Sequence, residues 1–512
     1  MEPFEPTGIT PQSGETSPPL RLENGKAVPF ALIPRFSFSL FGLHLHREVQ
    51  AGRRIPAFFA VPGQAPETFL LTAIIADDAE GMLFAVSCEV EKEYSSLTPR
   101  IPALHVFERE LYERFGLMPV GHPRLNPVRY EKPDGPEVGV MDFFSVDGEE
   151  VHEVAVGPIH AGIIECGHFR FQCLGETVMH LEISLGYHHR GVEAMLAGGP
   201  DNRTLALMET LCGDSTVAHA FAYCTVVEAL GDAPPSPRGQ MIRSLALELE
   251  RLAIHTGDLG ALAGDVGFLS TLSHCGALRG DWLNMTAEIC GSRFGRGLLT
   301  PGGTRFDLNR KLSDTLLRRL DACAAQVNAS VQLLWDSPSV MARFSGTGAV
   351  SQEEAAALGL VGPPARASGL PRDVRHTHPL SDLPAPPETF TFPYGDVHAR
   401  ARIRHAEIQA SAAYCRRVLE VFPHEENDHS TLAAPPERLA PEHLAVALVE
   451  ARHGEVCHLA LTDDAGRFTM YKVIDPSMHN WEGLALALRG RQISDFPLCN
   501  KSFNLSYCGH DL

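Results

Sequence analysis

Two short segments, far apart in the sequence, carry side chains that can bind a metal ion. The first contains Cys212 and His219, and the second, near the end of the sequence, contains Cys508. Thiolate and imidazole are ligands that Zn²⁺ prefers, so these three side chains would suit such an ion if folding brought them together. Alternatively, Cys212 is a small buried apolar residue, the commoner role of a single cysteine. The residue types alone leave both interpretations open.

A second set of candidate residues combines acidic, basic and imidazole side chains within one or two helical turns. The set consists of Glu248, Arg251 and His255, at positions i, i+3 and i+7, and of His189, Arg190 and Glu193. The first three share one helical face because of their spacing. Such groups can take part in proton-coupled chemistry, or they can form a structural ion network, since buried charges without partners are costly.

The overall composition excludes several classes of function. The chain has 512 residues, 63 acidic and 43 basic side chains and a formal net charge of -20. Nucleic-acid binding requires clustered Lys and Arg to neutralise phosphates, and binding to an anionic membrane surface requires similar clusters. We therefore expect no nucleic-acid partner and no polybasic membrane contact.

The sequence shows neither the apolar run of a membrane-spanning helix nor the pattern of a secretion signal. No stretch approaches about 18 uninterrupted apolar residues, and the best candidate, residues 31–45, contains Pro34 and Arg35. The N-terminus lacks the pattern of a signal peptide.

The 12 cysteines are scattered singly without a CxxC pair, so neither a disulfide framework nor a resident iron–sulfur cluster is expected. A GxGxxG fingerprint after a strand is also absent, so NADH binding is not expected.

Hydrophobic periodicity predicts an α+β fold with two domains. We expect a disordered tail over residues 1–28, a small α+β domain over 29–130, a linker over 131–150 and a helix-rich domain with a small β element over 151–512. The predicted helices cover residues near 103–115, 203–230, 242–259, 308–336 and 396–421. The predicted strands include residues 69–75 and 83–86 and a late β-like stretch over 453–474.

The charged helix near residues 107–116 carries the first resemblance to a known family. The run Phe107-Glu108-Arg109-Glu110-Leu111-Tyr112-Glu113-Arg114-Phe115-Gly116, followed by Gly121-His122-Pro123, resembles the signature of the smaller peripheral-arm subunit of complex I. Without other motifs, the same run would also suit an amphipathic helix closed by a glycine cap.

The second half of the sequence carries a more specific resemblance in several ordered motifs. These are residues 156–162, 167–171, 175–176, 186–193, 248–255, 362–369 and 475–477. Together they resemble the hydrogenase-like large subunit shared by complex I, formate hydrogenlyase and the energy-converting nickel-iron hydrogenases. Fusion of the smaller subunit to this large subunit, in the order seen here, is known within the family.

The resemblance implies the positions of four nickel-iron cysteine ligands, in one CxxC motif near the start of the large subunit and one near its end. Cys212 matches the first ligand, whereas Ser215, Ser506 and Gly509 stand at the other three. Nickel-iron chemistry needs soft thiolates, which hydroxyl and backbone groups replace poorly. We therefore predict that the nickel-iron centre is absent. Cys508 is one residue out of register and is expected to point elsewhere.

In complex I the same cavity binds the quinone headgroup through a histidine and a tyrosine. His160 matches a family histidine, but the quinone-contacting histidine falls near Glu165, and Gly213 stands at the tyrosine position. His168 is close enough in sequence to substitute, or it is a strand surface residue. Quinone binding is thus an expectation of the resemblance that the residues support only in part.

The resemblance implies a subunit of a membrane-associated respiratory oxidoreductase complex. Its partners would be an iron–sulfur small subunit and antiporter-like membrane subunits, which would hold it peripherally on the cytoplasmic side. The expected role is to couple electron transfer from the iron–sulfur partner to quinone or proton chemistry. Two alternatives are a catalytically inert scaffold and a hydrogenase with abnormal ligands.

Overall fold

A computed structural model describes residues 18–63, 65–131, 135–162, 164–380, 384–424 and 430–512. Long helices and antiparallel sheets occur together, which confirms the predicted α+β class. In the described part of the chain, no helix combines the length and the apolar character needed to cross a bilayer.

The N-terminal part is a mainly antiparallel sheet covered by two helices. Its elements are β1 (Leu20–Leu22), β2 (Ala27–Pro29), β3 (Arg35–Phe36), α1 (Phe38–Gln50), β4 (Arg54–Pro62), β5 (Phe69–Asp77), β6 (Met82–Val90), β7 (Glu93–Ser95), α2 (His105–Phe115) and β8 (Met118–Val120). The strand order is β1-β6-β5-β4, with β3 parallel to β6, and β7 pairs with β8 separately. The predicted strands over 69–75 and 83–86 and the predicted helix near 103–115 are confirmed.

The predicted disordered tail is wrong for residues 18–28. Leu20 and Leu22 pair with Ala85 and Leu83 of β6, and Leu22 is buried in the core. Val28 in β2 pairs with Leu444 near the other end of the sequence. The Pro- and Ser-rich composition concealed these strands because their partners lie far along the chain. The rest of the predicted tail, residues 1–17, lies outside the described residues.

The part after residue 150 begins with a three-stranded sheet and continues mainly as helices. Its elements are β9 (Val151–Val156), β10 (His168–Leu174), β11 (Thr177–Ser184), α3 (Val192–Leu196), α4 (Thr204–Met208), α5 (Thr216–Leu230), α6 (Pro237–Asp265), α7 (Leu269–Cys290), β12 (Leu299–Thr300), β13 (Gly303–Thr304), α8 (Arg310–Trp335), α9 (Pro338–Phe344), α10 (Gln352–Ala357), α11 (Gly362–Ala367), α12 (Val374–Thr377), α13 (Val397–Val421), β14 (His443–Ala451), β15 (Gly454–Thr462), β16 (Phe468–Ile474), α14 (Pro476–Leu488), α15 (Phe496–Phe503) and α16 (Tyr507–Asp511).

The central helix α6 shows how the sequence builds the bundle. Ser236 accepts a hydrogen bond from the Gly239 N–H, and Pro237 occupies the first turn, where its missing N–H costs nothing. The helix is buried on nearly all faces because α7, α13 and α15 pack around it. This burial explains why its charged residues must find partners inside the protein.

The predicted helix over residues 203–230 is in fact two helices. The chain leaves α4 after Met208 and re-enters a helix at Thr216. Cys212, Gly213 and Asp214 lie in the turn between them. The break places the Cys212 thiol at the amino end of α5 instead of on a helical face.

The sheet β14–β16 separates the two hydrophobic cores. In β14, Leu444, Val446 and Leu448 face the core of the N-terminal part, while the intervening Ala445 and Ala447 face the helical core. This alternation follows from the two-residue period of a strand. The predicted boundary at residues 131–150 therefore does not separate two independent cores. Its described residues, 131 and 135–150, form neither helix nor strand, and residues 132–134 lie outside the described part.

Candidate functional site

The turn before α5 and the end of the chain meet around Cys212. The Cys212 thiol is fully buried and donates a hydrogen bond to Ser506 Oγ at 3.2 Å. A carboxylate oxygen of Asp214 lies 3.0 Å from the same sulfur. Two segments that the sequence pattern singled out separately thus form one site.

Cys508 belongs to this site, contrary to the expectation that it points elsewhere. Its sulfur lies 3.4 Å from Ser506 Oγ, the same oxygen that the Cys212 thiol contacts. The neighbouring Cys212 thiol lowers the pKa of Cys508, while the Cys508 thiol and burial raise the pKa of Cys212.

The orientation of Cys508 toward the site is explained by the residue that caps the start of α16. Ser506 is the extended residue before the helix, and its hydroxyl accepts the Gly509 N–H at 2.9 Å. A capping side chain folds toward the first helical turn. The Ser506 side chain therefore reaches the same side of the turn as Cys508.

The other two positions that hold nickel-iron ligands in the family are Ser215 and Gly509. Neither provides a side-chain group that bonds to a neighbour among the described residues. The Ser215 hydroxyl is buried and makes no hydrogen bond with the described residues. Gly509 is buried against Asp475, and a Cβ at Gly509 would lie 2.7 Å from the Asp475 carboxylate carbon. A side chain at position 509 would thus displace Asp475.

Behind the thiols, four side chains form a buried hydrogen-bonded chain. Asp475 Oδ2 lies 3.2 Å from His219 Nε2, and His219 Nδ1 lies 3.0 Å from His458 Nε2. The chain continues to the Tyr471 hydroxyl, 2.9 Å from His458 Nδ1. Burial alone would raise the pKa of Asp475, but the hydrogen bond from His219 holds it well below its usual value. Burial lowers the pKa of His458 strongly.

The donor atoms around Cys212 are close enough to hold a metal ion. One atom each from Cys212, His219 and Asp475 lies within 4.8 Å of the others, and the same is true of Cys212, Asp214 and His453. Arg452, which forms an ion pair with Asp214, adds a buried positive charge next to these donors. The positive charge opposes a cation and favours an anion or a polarised oxygen at this place.

The loop between β9 and β10 closes the site on the side of α16. The exposed Glu165 carboxylate accepts the N–H groups of Tyr507 and Cys508, both at 3.1 Å. His160 is half-buried, and its Nε2 donates to the Gly167 carbonyl at 2.8 Å within the loop. His168 lies on β10 with its ring 5.3 Å from that of Phe143, so it occupies a strand surface.

The residues His189 and Arg190 hold the chain terminus instead of lining the site directly. His189 Nδ1 donates to the Asp511 carbonyl at 2.7 Å, and Arg190 Nη1 donates to the Thr210 carbonyl at 2.8 Å. The Asp511 carboxylate accepts the N–H groups of Gly186 at 2.8 Å and His188 at 2.9 Å. These contacts fix α16 and the Cys212 turn relative to each other.

Glu193 connects the two parts of the chain. Its carboxylate accepts the Val473 N–H at 2.9 Å, lies 3.2 Å from Lys472 Nζ and pairs with Arg114 of α2. Burial would raise its pKa, but the charges of Lys472 and Arg114 lower it to about 2. Glu193 is thus ionised and connects α2 to strand β16.

Glu248, Arg251 and His255 do share one buried face of α6. Arg251 Nε lies 3.1 Å from Glu248, and its other nitrogens donate to the backbone carbonyls of β14. His255 Nε2 lies 2.8 Å from Glu407, whose pKa is held low by Arg366 and His255 against the effect of burial. Every charge in this group has a buried partner, as a structural ion network requires.

Several residues of the site were missed by sequence reasoning. Asp475 was noticed as part of a motif but not as a partner of His219, and Asp214, Arg452, His453 and His458 were not singled out. The signal for Asp475 was its position before Pro476, since an aspartate followed by proline commonly caps a helix. Nothing in the spacing showed that this cap would face α5.

Two family descriptions match the chain. Residues 265–511 match "Respiratory-chain NADH dehydrogenase, 49 Kd subunit", and residues 62–135 match "Respiratory-chain NADH dehydrogenase, 30 Kd subunit". Hydrogenase-4 component G of Escherichia coli is 30% identical over 85% of this chain and 79% of its own length. NADH-quinone oxidoreductase subunit 4 of Thermus thermophilus is 28% identical over 68% of this chain and 90% of its own length.

A solved structure shows the same fold. The structure titled "membrane-bound sulfane sulfur reductase (MBS), an archaeal respiratory membrane complex" matches 72% of this chain and 100% of the compared chain, with a TM-score of 0.66 and 22% identity. The ordered motifs, the fused arrangement and these matches agree. The chain belongs to the family of complex I and energy-converting hydrogenase large subunits, with the 30-kDa-type and 49-kDa-type parts fused in one polypeptide.

Proposed function

We propose that this chain is a subunit of a membrane-bound respiratory oxidoreductase complex that couples electron transfer from an iron–sulfur partner to quinone and proton chemistry without a nickel-iron centre. Its relatives carry the names of hydrogenase and quinone oxidoreductase subunits, which supports the kind of complex. The observation that supports the absence of nickel is the chemistry of the four family positions.

Only one sulfur stands at those four positions. Cys212 is joined by Ser215, Ser506 and Gly509, and neither a hydroxyl nor a hydrogen atom supplies the soft thiolate that nickel and iron need. At position 509 the neighbouring Asp475 would clash with any side chain. The residues present therefore do not fit a nickel-iron centre, even when Cys508 supplies a second sulfur out of register.

The hydrogen-bonded chain behind Cys212 supports proton-coupled chemistry. Reduction of a quinone by two electrons also consumes two protons, so a site for it needs buried proton donors. His219 and Asp475 lie side by side with no exposed surface, and His458 and Tyr471 extend the chain inward. In our proposal, His219 relays a proton between Asp475 and His458, because its two ring nitrogens contact these two side chains.

The partners are part of the same proposal. Electrons would arrive from an iron–sulfur subunit, because the described residues contain no cysteine cluster that could hold a cluster of their own. Antiporter-like membrane subunits would hold the chain at the cytoplasmic surface. The net charge of -20 is consistent with attachment to the membrane through protein partners instead of through anionic lipid.

One contact favours the alternative of an inert scaffold. Cys212 Sγ and Ser506 Oγ are in direct hydrogen-bonding contact, so the two segments support each other. In that case the buried charges would only stabilise the fold. The two hypotheses differ in whether changes at His219 affect turnover.

The test is quinone reductase activity of the purified complex, with a short-chain ubiquinone analogue as acceptor. His219→Gln is expected to lower the turnover at least about tenfold, a typical loss for a removed proton donor, while subunit stoichiometry stays unchanged. Asp464→Asn, on an exposed turn, is the matched control. Unchanged turnover in His219→Gln, or no quinone reduction by the native complex, would favour the scaffold.

A further inference from the structure

Cys212 and Cys508 form the feature of the site that electron transfer to quinone does not use. Ser506 Oγ contacts both sulfurs, at 3.2 Å from Cys212 and 3.4 Å from Cys508. One thiol comes from the turn before α5 and the other from the last helix, so the fold brings them together from distant parts of the sequence.

The two thiols differ in their access to solvent. Cys212 is completely buried, whereas Cys508 is half-buried and its backbone N–H is held by the exposed Glu165. Cys508 is therefore the thiol that a small molecule can reach. An accessible thiol next to a buried second thiol is the arrangement in which one cysteine attacks and the other resolves.

We propose that Cys212 and Cys508 are a redox-active dithiol that exchanges two electrons with small organic disulfides. This inference goes beyond the proposed function and does not depend on it, because the dithiol reacts whether or not the cavity reduces quinone. A pair of this kind is distinct from a structural disulfide framework, since it cycles between the reduced and oxidised forms.

The reaction balances in two steps. The Cys508 thiolate attacks one sulfur of the disulfide RSSR, which forms a mixed disulfide and releases one RS⁻. The Cys212 thiol, after losing its proton, attacks the Cys508 sulfur of the mixed disulfide and releases the second RS⁻. The protein loses two electrons and two protons and gains one S–S bond, while RSSR becomes two RSH. Excess small thiol drives the same steps in reverse.

The local structure suits the second step. The sulfurs already contact a common oxygen of Ser506, so bond formation requires them to approach each other past this hydroxyl. The α16 helix has only five residues, and the extended Ser506 precedes it.

The test uses the intact purified complex and bis(2-hydroxyethyl) disulfide as the probe. After treatment, free thiols are blocked with N-ethylmaleimide, and the digested chain is analysed by mass spectrometry. We expect labelling of Cys212 and Cys508 to fall together by at least about fivefold, with a linked peptide pair that is two hydrogen masses lighter and that dithiothreitol separates. Labelling of the half-buried Cys166 is the internal control.

Two variants separate the roles of the thiols. In Cys212→Ser, the mixed disulfide on Cys508 is expected to accumulate because nothing resolves it. In Cys508→Ser, no probe is expected to attach at Cys212, whereas Cys166→Ser is expected to behave as the native chain.

Three results would overturn the proposal. The first is independent labelling of both thiols after oxidation, and the second is a mixed disulfide that persists on Cys508 in the native chain. The third is zinc at about one ion per chain that protects both thiols until a chelator removes it, which would assign the pair to a metal site. The native-chain measurement decides the matter even if a variant fails to fold.

Discussion

The Glu165 carboxylate accepts the backbone N–H of Cys508 at 3.1 Å, and so ties the β9–β10 loop to the last helix of the chain. The same oxygen accepts the Tyr507 N–H at 3.1 Å. The two N–H groups are at the start of α16, where no backbone carbonyl of the helix can accept them. Glu165 thus has a positioning role next to the thiol pair.

Replacement of Glu165 by alanine is expected to loosen α16 locally. Loss of a charged acceptor for two N–H groups should cost about 1–2 kcal/mol, because the carboxylate is exposed and water partly replaces it. Hydrogen exchange at Tyr507 and Cys508 should accelerate by about tenfold, while Glu149→Ala, also exposed, should leave it unchanged. Equal exchange in both variants would show that Glu165 does not hold the helix.

Gly509 is expected to tolerate no side chain. An added Cβ would lie 2.7 Å from Asp475, so Gly509→Ala should lower the free energy of unfolding by about 1–3 kcal/mol through overpacking. At Gly213 a Cβ would meet no atom within 4 Å, which makes Gly213→Ala the matched control with a small effect. Denaturant unfolding measures both, and equal stabilities would contradict the packing around Asp475.

The buried ion network predicts a large effect at Arg366. Its guanidinium lies 2.8 Å from Glu407 and 2.8 Å from Glu450, and all three side chains are buried. Arg366→Met leaves Glu450 without its buried ion-pair partner and Glu407 with only His255 and Arg251 nearby, so it should destabilise the protein by about 3–5 kcal/mol.

The control for Arg366 is an exposed arginine that also pairs with a carboxylate. Arg416 pairs with Asp321 at the surface, and Arg416→Met should cost about 0–1 kcal/mol. Thermal unfolding of the two variants gives the comparison. Similar melting temperatures would mean that the Arg366 charges are compensated in another way.

We expect the free energy of unfolding to depend on pH because of the buried carboxyl group of Glu250. Burial raises its pKa from 4.5 to about 8, while its oxygens accept the N–H groups of Val217, at 2.7 Å, and Ala218. Between these two pH values the folded chain holds a proton that the unfolded chain has released. The free energy of unfolding should therefore fall as the pH rises from 4.5 to 8, by a few kcal/mol at about 1.4 kcal/mol per unit of pKa difference.

Glu250→Gln removes this ionisation with little change in shape. Its unfolding free energy should fall less between pH 5 and pH 8 than that of the native chain, and it should be the more stable of the two at pH 8. Parallel pH profiles would show that Glu250 is already ionised in the folded protein at pH 5.

The sequence allowed much of the fold to be predicted, because local periodicity was strong. The spacing of Ile242, Leu245 and Leu249 predicted α6, and the same helix placed Glu248 and His255 on one face, as the structure confirms. Strands β1 and β2 were missed because short strands are stabilised by partners distant in sequence, and pairing leaves no local pattern.

The candidate site was predicted only in part, for a similar reason. The motifs identified Cys212, Ser506 and His219, but the partners of His219 come from β15 and from the cap of α14. The direction of Cys508 depended on the extended conformation of Ser506, which one-dimensional spacing does not show. Residues selected as a group were separated by the fold, because His189 contacts the Asp511 carbonyl of the last helix and Arg190 contacts the Thr210 carbonyl next to the Cys212 turn.

The most direct test of the account is the metal content of the purified complex together with its hydrogen and quinone activities. Elemental analysis should find nickel far below one atom per chain, with no hydrogen uptake or evolution, and the complex should reduce a quinone analogue. Nickel at about one atom per chain, with hydrogen turnover, would contradict the account, because Cys212 is the one sulfur at the four family positions.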